Sequence, residues 1–247
     1  MKINAQKTQL IALGTRQNLR QLPTISIKFM GATVSGSLTV RNLGVVFDQC
    51  MLFAAHIDYA VRRCTGILIG LSHCRHSLPR ATLTTLVQAL VISLIRYCIS
   101  VYGTCNATQT GRLQKVLNFV ARVISGRRKF DRVSEVLREL EWLSAHNLHV
   151  FHALTLLKRI LSSAQPETLS ASLVQRRHVR QRTTRQDDML NVPTIRSESG
   201  RRRFLYSAVT AFNDLPQTIR DENPRLYKRE LRSYLLQRQL AASGIGS

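Results

Sequence analysis

The pattern of apolar and polar residues changes at about Asp48, and it predicts a different kind of structure on each side. Before Asp48, residues 25–29 alternate between apolar and polar side chains, and residues 43–47 form a β-branched and aromatic run. Such patterns, next to turn-forming residues such as Gly31 and Gly36, are typical of short antiparallel strands. After Asp48, helical spacings dominate. The chain is therefore predicted to be mainly α with a small β element, an N-terminal hairpin of two or three strands followed by a helical bundle.

Helical periodicity is clearest in the middle of the chain. Leu113, Leu117, Val120 and Ile124 recur at spacings of four, three and four, and Gly126 follows as a C-terminal cap. Similar spacings, and the position of Pro79 at a helix start, predict further helices. These helices cover about residues 56–71, 79–102, 133–143, 150–161 and 227–240.

The charge of the chain is strongly positive along its whole length. Lysine and arginine number 36 against 14 acids, a net charge of +22, and 29 of the basic residues are arginine. Arginine binds phosphate in a bidentate manner and stacks on bases, so nucleic acid is the expected partner. The first 125 residues contain only two acids, Asp48 and Asp58. This composition argues against a self-contained carboxylate active site, because metal-dependent phosphoryl transfer needs converging carboxylates.

The cysteines and the apolar stretches predict an intracellular chain. The five cysteines have irregular spacing and form no CxxC pair, which is typical of reduced thiols. Residues 1–10 are too polar for a signal peptide. The most apolar stretch, residues 83–95, falls short of the roughly 20 residues that span a bilayer. We expect a nuclear or cytoplasmic ribonucleoprotein location, no secretion and no membrane partner.

Two groups of basic residues are candidate phosphate contacts. The first lies on predicted helices, where it competes with ordinary solubilising charge: Arg62, Arg63, Arg112, Lys115 and Arg122. The second lies in a segment poor in apolar residues, so its guanidinium groups are expected to remain free to follow a phosphate backbone. It contains Arg176, Arg177, Arg180, Arg182, Arg185, Arg196, Arg201, Arg202 and Arg203, with Phe204 and Tyr206 beside it. A solvated basic loop is the alternative.

Other polar clusters are expected to be structural. Asp187 and Asp188 have no flanking strand pattern, so we interpret them as part of a solvated loop. On one helix the outer members of the triplet His146, His149 and His152 point about 120° apart and cannot bind one tetrahedral ion together. A second cluster, His73, Cys74 and His76, lacks a clear fourth ligand. No metal site is predicted on this chain.

The order of short motifs along the chain resembles the non-LTR (LINE-type) retrotransposon reverse transcriptases. The first motifs are Lys2-Ile3-Asn4 with Lys7-Thr8, then Asn42-Leu43-Gly44-Val45 with Asp48, then His56-Ile57. The closing motifs are Arg203-Phe204, Phe212-Asn213-Asp214-Leu215-Pro216, and Lys228 ahead of Leu231 and Tyr234-Leu235. Phe212 stands where the family usually has tryptophan, and Tyr227 where it usually has phenylalanine. The match covers nearly the whole chain.

The resemblance implies a role for several of these residues. Asn4 and Lys7 would lie beside the polymerase active site, and Leu43, Gly44 and Val45 in the primer-grip hairpin. The family's paired catalytic aspartates, which hold Mg²⁺ in the complete polymerase, would lie upstream of Met1. We therefore expect a chain that has no catalytic residues or cofactor of its own and is inactive as a polymerase by itself.

The resemblance also divides the chain into five segments. Residues 1–50 would be the end of the palm and a primer-grip-like hairpin, and 51–126 a thumb-like helical bundle. Residues 127–165 would be a helical extension, 166–203 an arginine-rich and partly ordered connection, and 204–247 a C-terminal helical segment.

Two functions from different classes follow. The first is a catalytically incomplete fragment of a retrotransposon RNA-directed DNA polymerase that binds the phosphate backbone of RNA, RNA–DNA hybrid or DNA. The missing palm and fingers portion of the polymerase would be a further partner. The second is a helical protein-interaction module whose charge serves solubility. Salt dependence separates them, because phosphate contacts release counterions and make affinity fall steeply with salt.

Overall fold

The N-terminal part of the chain forms two small antiparallel hairpins. The structure, a computed structural model, describes residues 7–179 and 188–242. In the first hairpin Ser26 pairs with Ser35, and in the second Thr39 pairs with Asp48. The described residues thus contain four strands rather than two or three: β1 (Ser26–Phe29), β2 (Ala32–Ser35), β3 (Thr39–Asn42) and β4 (Val45–Asp48).

Both hairpins close through a two-residue turn that ends in glycine. Met30 and Gly31 have φ angles of 47° and 79°, and Leu43 and Gly44 have φ angles of 45° and 82°. Positive φ at both central residues is the type I′ geometry, whose twist matches that of the flanking strands. Only glycine adopts such angles without strain, which explains its place at the second position of each turn.

The rest of the described chain is helical, which confirms the predicted fold class. A π-helical stretch at Gln88–Ile92 joins two of the helices. None of the helices in the described ranges is long and apolar enough to cross a bilayer. The helices are α1 (Arg16–Gln21), α2 (Ala54–Cys74), α3 (Arg80–Val87), α4 (Ser93–Arg96), α5 (Ile99–Tyr102), α6 (Ala107–Ser125), α7 (Ser134–Glu139), α8 (Ala145–Ser163), α9 (Glu167–Ser170), α10 (Glu198–Arg201), α11 (Phe204–Asn213), α12 (Gln217–Arg220) and α13 (Pro224–Ala242).

A first core forms where α2 packs against α6 and against the helices of residues 80–102. Ile57, Leu68 and Val120 are fully buried in it. The second hairpin closes this core, since Val45 of β4 is 3% exposed. As predicted, α6 ends at Gly126, whose φ of 71° caps the helix in the left-handed conformation.

The prediction of one continuous helix from Pro79 to about residue 102 was wrong. The helix stops after Arg96, because Cys98 takes the left-handed conformation with φ of 55°. The adjacent Tyr97 hydroxyl donates a hydrogen bond to the Leu43 carbonyl oxygen, 2.7 Å away. Tyr97, at this break, therefore binds the turn of the second hairpin through its side chain.

A second core forms between α8, α11 and α13. Leu154, Leu157 and Leu231 are fully buried in it. Asn213, at the end of α11, pairs with the backbone of Leu190 through two hydrogen bonds of 3.0 and 2.9 Å. Part of the closing motif therefore holds the middle of the arginine-rich connection, residues 166–203, against α11.

Candidate nucleic-acid interface

The N-terminal half of α2 and the second turn of α6 share one carboxylate. Asp58 accepts a contact of 2.7 Å from Arg62 and one of 2.6 Å from Arg112. The hydrogen bond from Arg112, together with the positive charges of both arginines, holds the pKa of Asp58 below its usual value. Asp58 therefore stays ionised, and it fixes two of the predicted arginines side by side across the helix pair.

An exposed aromatic ring lies next to this carboxylate. The Tyr59 side chain is 43% exposed, and its hydroxyl accepts a hydrogen bond of 2.9 Å from Arg63. The guanidinium of Arg41, on β3, lies 5.7 Å from the centre of the ring. The hydrogen bond from Arg63 also lowers the pKa of Tyr59. Two guanidinium groups thus flank a ring that is open to solvent.

Together these side chains form one patch, which we call the α2–α6 basic surface. Lys115 belongs to it because it is exposed and lies one turn from Arg112 on α6. The sequence did not reveal Arg41, whose approach to Tyr59 depends on how β3 docks against α2. The spacing of Tyr59 and Arg63 was a readable signal for a contact. The α2–α6 basic surface comprises Arg41, Tyr59, Arg62, Arg63, Arg112 and Lys115.

Arg122, the fifth candidate on the helices, lies outside this surface. It follows Arg112 by ten residues, about 15 Å along α6. Its guanidinium turns towards the loop after the helix and donates to the backbone oxygen of Asp131 at 3.3 Å. Arg122 therefore supports the connection between α6 and α7 and does not join the α2–α6 basic surface.

The residues of the primer-grip-like prediction form the turn of the second hairpin, Leu43 and Gly44, and the first residue of β4, Val45. The Leu43 side chain is 82% exposed, Gly44 lies against the Tyr97 ring, and Val45 is buried. Lys7 is exposed at the start of the described chain, and Asn4 lies outside the described residues. The predicted roles of these five residues towards nucleic acid remain predictions.

The start of the arginine-rich segment contacts a later part of the same segment, at Asp188 and Met189. The backbone nitrogen of Arg176 donates to the Met189 carbonyl oxygen at 2.8 Å. Arg177 lies 3.9 Å from the exposed carboxylate of Asp188. Asp188 therefore faces an arginine on the surface. Four residues of the segment lie outside the described residues: Arg180, Arg182, Arg185 and Asp187.

The expectation that all the arginines of this segment remain free was wrong for Arg202. Its side chain is only 21% exposed and contacts Glu198 at 3.3 Å, one turn earlier on α10. Glycine at position 200 is buried, so the backbone here packs closely although apolar side chains are few. Arg201 and Arg203 are exposed. Two arginines of the triplet are thus available for phosphate.

The histidine triplet is divided between different contacts. His149 is buried, and its Nδ1 lies 3.0 Å from the Ile99 carbonyl oxygen. His152 accepts a hydrogen bond of 3.2 Å from Arg96 at Nε2. In the described parts of the chain no three His, Cys, Asp or Glu residues come together as metal ligands would. The second cluster, His73, Cys74 and His76, is exposed at the end of α2 and just after it.

Comparisons with family models, with curated proteins and with solved structures find no match. The residues of the chain itself are therefore the guide to its function, above all the α2–α6 basic surface and the motifs in the hairpin and the closing segment.

Lowering the pH from 7 to 5 is expected to destabilise the fold through His152. Burial, with the charges of Arg96, His149 and Lys228, lowers the pKa of His152 to about 4. Between pH 6.5 and 4 the unfolded chain therefore binds a proton that the folded chain does not, so stability falls as the pH falls. The expected loss at pH 5 is about 1 kcal/mol after allowance for solvent screening.

Thermal unfolding in phosphate-free buffers at the two pH values measures this loss. His152→Gln should reduce the pH dependence without abolishing it, because burial also lowers the pKa of His56, His146 and His149. Substitution of the exposed His73 by Gln should leave the pH dependence as in the wild type. An equal pH dependence in all three proteins would contradict the assignment to His152.

Proposed function

We propose that this chain is a catalytically incomplete part of a retrotransposon RNA-directed DNA polymerase. It binds RNA or RNA–DNA duplex along the phosphate backbone, with the α2–α6 basic surface as its main contact. The observation that carries the proposal is the shared Asp58: one carboxylate fixes Arg62 and Arg112, and Arg63 and Arg41 flank the ring of the next residue, Tyr59.

The electrostatics of this surface favour a polyanion. The two helices that form it contain no acid other than Asp58. Asp48, the remaining acid of the first 125 residues, accepts hydrogen bonds of 3.1 and 3.0 Å from the backbone of Cys50 and Leu52. The positive charge of the surface is therefore largely uncompensated, and a phosphate backbone supplies the missing negative charge without any base-specific contact.

Tyr59 adds a second kind of contact. An exposed tyrosine flanked by guanidinium groups can stack on an unpaired base or on a sugar, and stacking is tolerant of sequence. The ring is held in place by the hydrogen bond from Arg63. A surface of this kind binds nucleic acids of different sequence with similar affinity.

The polymerase origin is supported by the family resemblance, and the fold gives its motifs a coherent structural use. The hairpin motif places Leu43 under the Tyr97 hydroxyl, and the His56 ring packs edge-on against Tyr102, with 4.7 Å between their centres. In the closing motif Asn213 pairs with the Leu190 backbone. The hairpin motif therefore contacts the helices, the motif of His56 contacts α5, and the closing motif contacts the arginine-rich connection.

The test of this proposal is the substitution Asp58→Asn, which should strengthen binding. It removes one negative charge and releases Arg62 and Arg112 for phosphate. We expect the affinity for two unrelated RNAs and for an RNA–DNA hybrid to rise about 5-fold at about 0.15 M salt. The logarithmic salt slope should steepen by about one unit, the value for one added phosphate contact.

The matched control is Glu139→Gln, which releases Arg80 from an exposed ion pair elsewhere on the molecule. It changes the net charge by the same amount and should have little effect. If Asp58→Asn and Glu139→Gln raise the RNA affinity equally, the α2–α6 basic surface is not the main contact. An affinity for RNA that is independent of salt in the wild type would favour the helical protein-interaction module instead.

A further inference from the structure

A second cationic cleft lies between α8, α13 and the segment from Arg96 to α5. Its volume is about 420 Å³, and it shares no residue with the α2–α6 basic surface. None of the described residues that line it carries a carboxylate. Its basic side chains come from three helices: Arg96 of α4, His152, Lys158 and Arg159 of α8, and Lys228 of α13.

Two hydroxyl groups in the lining of this cleft are buried, and neither has a hydrogen-bond partner among the residues that the structure describes. Tyr227 is only 1% exposed, and its hydroxyl oxygen contacts no donor or acceptor. The hydroxyl oxygen of Thr155 is likewise buried and has no hydrogen-bond partner among the described residues. Buried polar groups are almost always hydrogen-bonded in proteins, and two unpaired hydroxyls beside one cleft indicate that a ligand completes them. Each can donate its hydrogen to an anion.

One of the cations around these hydroxyls, Lys158, is held in place, and no described residue that lines the cleft carries a carboxylate to neutralise it. Lys158 donates a hydrogen bond of 2.5 Å to the Arg220 carbonyl oxygen and lies 5.2 Å from the centre of the Tyr227 ring. Burial lowers the pKa of Lys158, and the charges of Asp221 and Glu222 oppose that effect. Arg96 and Lys228 are exposed at the edge of the cleft.

We propose that this cleft binds a phosphate group attached to an organic body such as a nucleoside. Phosphate matches the cleft because its several acceptor oxygens can take hydrogen bonds from the two hydroxyls and charge from the surrounding cations. The cleft is larger than phosphate alone requires, and its walls include the apolar side chains of Ile99, Leu156 and Pro224. The proposal stands independently of the α2–α6 basic surface.

The experiment is a titration of the full chain with inorganic phosphate at constant ionic strength, followed by calorimetry and by NMR of the His152 ring. Phosphate should raise the pKa of His152, because an anion beside the ring favours the imidazolium form. Tyr227→Phe and Lys228→Gln should each weaken phosphate binding at least about 5-fold. Lys129→Gln, a charge change outside the cleft, should leave it unchanged.

The Tyr227→Phe variant separates a binding role from a structural one. It removes an unpaired hydroxyl and keeps the buried ring, so the thermal stability should be unchanged or higher while the phosphate affinity falls. Equal phosphate affinity in the wild type, Tyr227→Phe and Lys228→Gln would indicate an adventitious ion only and would overturn the proposal.

Two further arms identify the source of the phosphate. Tighter binding of AMP than of inorganic phosphate, with no binding of adenosine, would identify a free nucleotide. Preference for a 5′-phosphorylated over a 5′-hydroxyl oligonucleotide, lost in Tyr227→Phe, would identify the end of a nucleic acid. Phosphate binding should survive replacement of Arg62, Arg63 and Arg112 by Gln, so its failure and a failure of the α2–α6 basic surface are distinguishable.

Discussion

Replacing Arg62, Arg63 and Arg112 together by glutamine is expected to weaken RNA binding about 100-fold at about 0.15 M salt. Each phosphate contact contributes about 0.9 to the logarithmic salt slope, and the contribution of the backbone contacts vanishes near 1 M salt. Three lost contacts therefore correspond to about two decades of affinity at about 0.15 M, and to a slope that is lower by two to three units. Titration of two unrelated RNAs over a range of salt concentrations measures both quantities.

The control for this experiment removes the same charge at the far end of the same helix. Arg128, Lys129 and Arg132 are exposed beyond the C-terminus of α6, about 20 Å from Arg112 along the helix. Their replacement by glutamine should cost much less affinity. If the two triple variants lose affinity equally, binding depends on net charge alone and the α2–α6 basic surface is not the contact. A loss confined to one RNA would indicate base-specific recognition.

Leu157→Ala is expected to lower the free energy of unfolding by about 3 kcal/mol. Leu157 is fully buried in the second core, where a leucine-to-alanine change removes apolar contacts and leaves a cavity. For a chain of this length the melting temperature should fall by about 6–12 °C. Thermal and denaturant unfolding, followed by far-ultraviolet circular dichroism, measure the change.

The neighbouring Leu161→Ala is the matched comparison on the same helix. Leu161 is 38% exposed, so the same chemical change should cost less than about 1 kcal/mol. Similar losses in both variants would mean that α8 does not pack as described. A larger loss in Leu157→Ala supports the second core as a real contributor to stability.

The elements with strong local signals could be predicted from the sequence. For α6, the apolar spacing and Gly126 marked both the buried face and the end of the helix. The run before Asp48 located the last strand, but its first two residues, Leu43 and Gly44, form the turn of the second hairpin and not part of the strand. The break at Cys98 carried no such signal, since neither glycine nor proline lies there. It depends on the contact between Tyr97 and Leu43, which are 54 residues apart.

The candidate site was predictable only in part, for the same reason. Arg62 and Arg63 could be recognised on one helix, but their grouping with Arg112 and Arg41 depends on how α2 docks against α6 and β3. Arg202 shows the opposite case. Local composition indicated a free side chain, whereas the turn of α10 places it within reach of Glu198. The local sequence pattern does not show which distant helices and strands pack against each other.

The position of α8 between the two cores has a consequence for truncated forms of this chain. One side of α8 presents His149 to Ile99, and the other presents Leu154 and Leu157 to α11 and α13. A chain that stopped within the arginine-rich segment would keep the first core and lose the cover of the second. It would then expose a stripe of leucines, so a truncated chain would aggregate or be degraded unless another protein shielded that stripe.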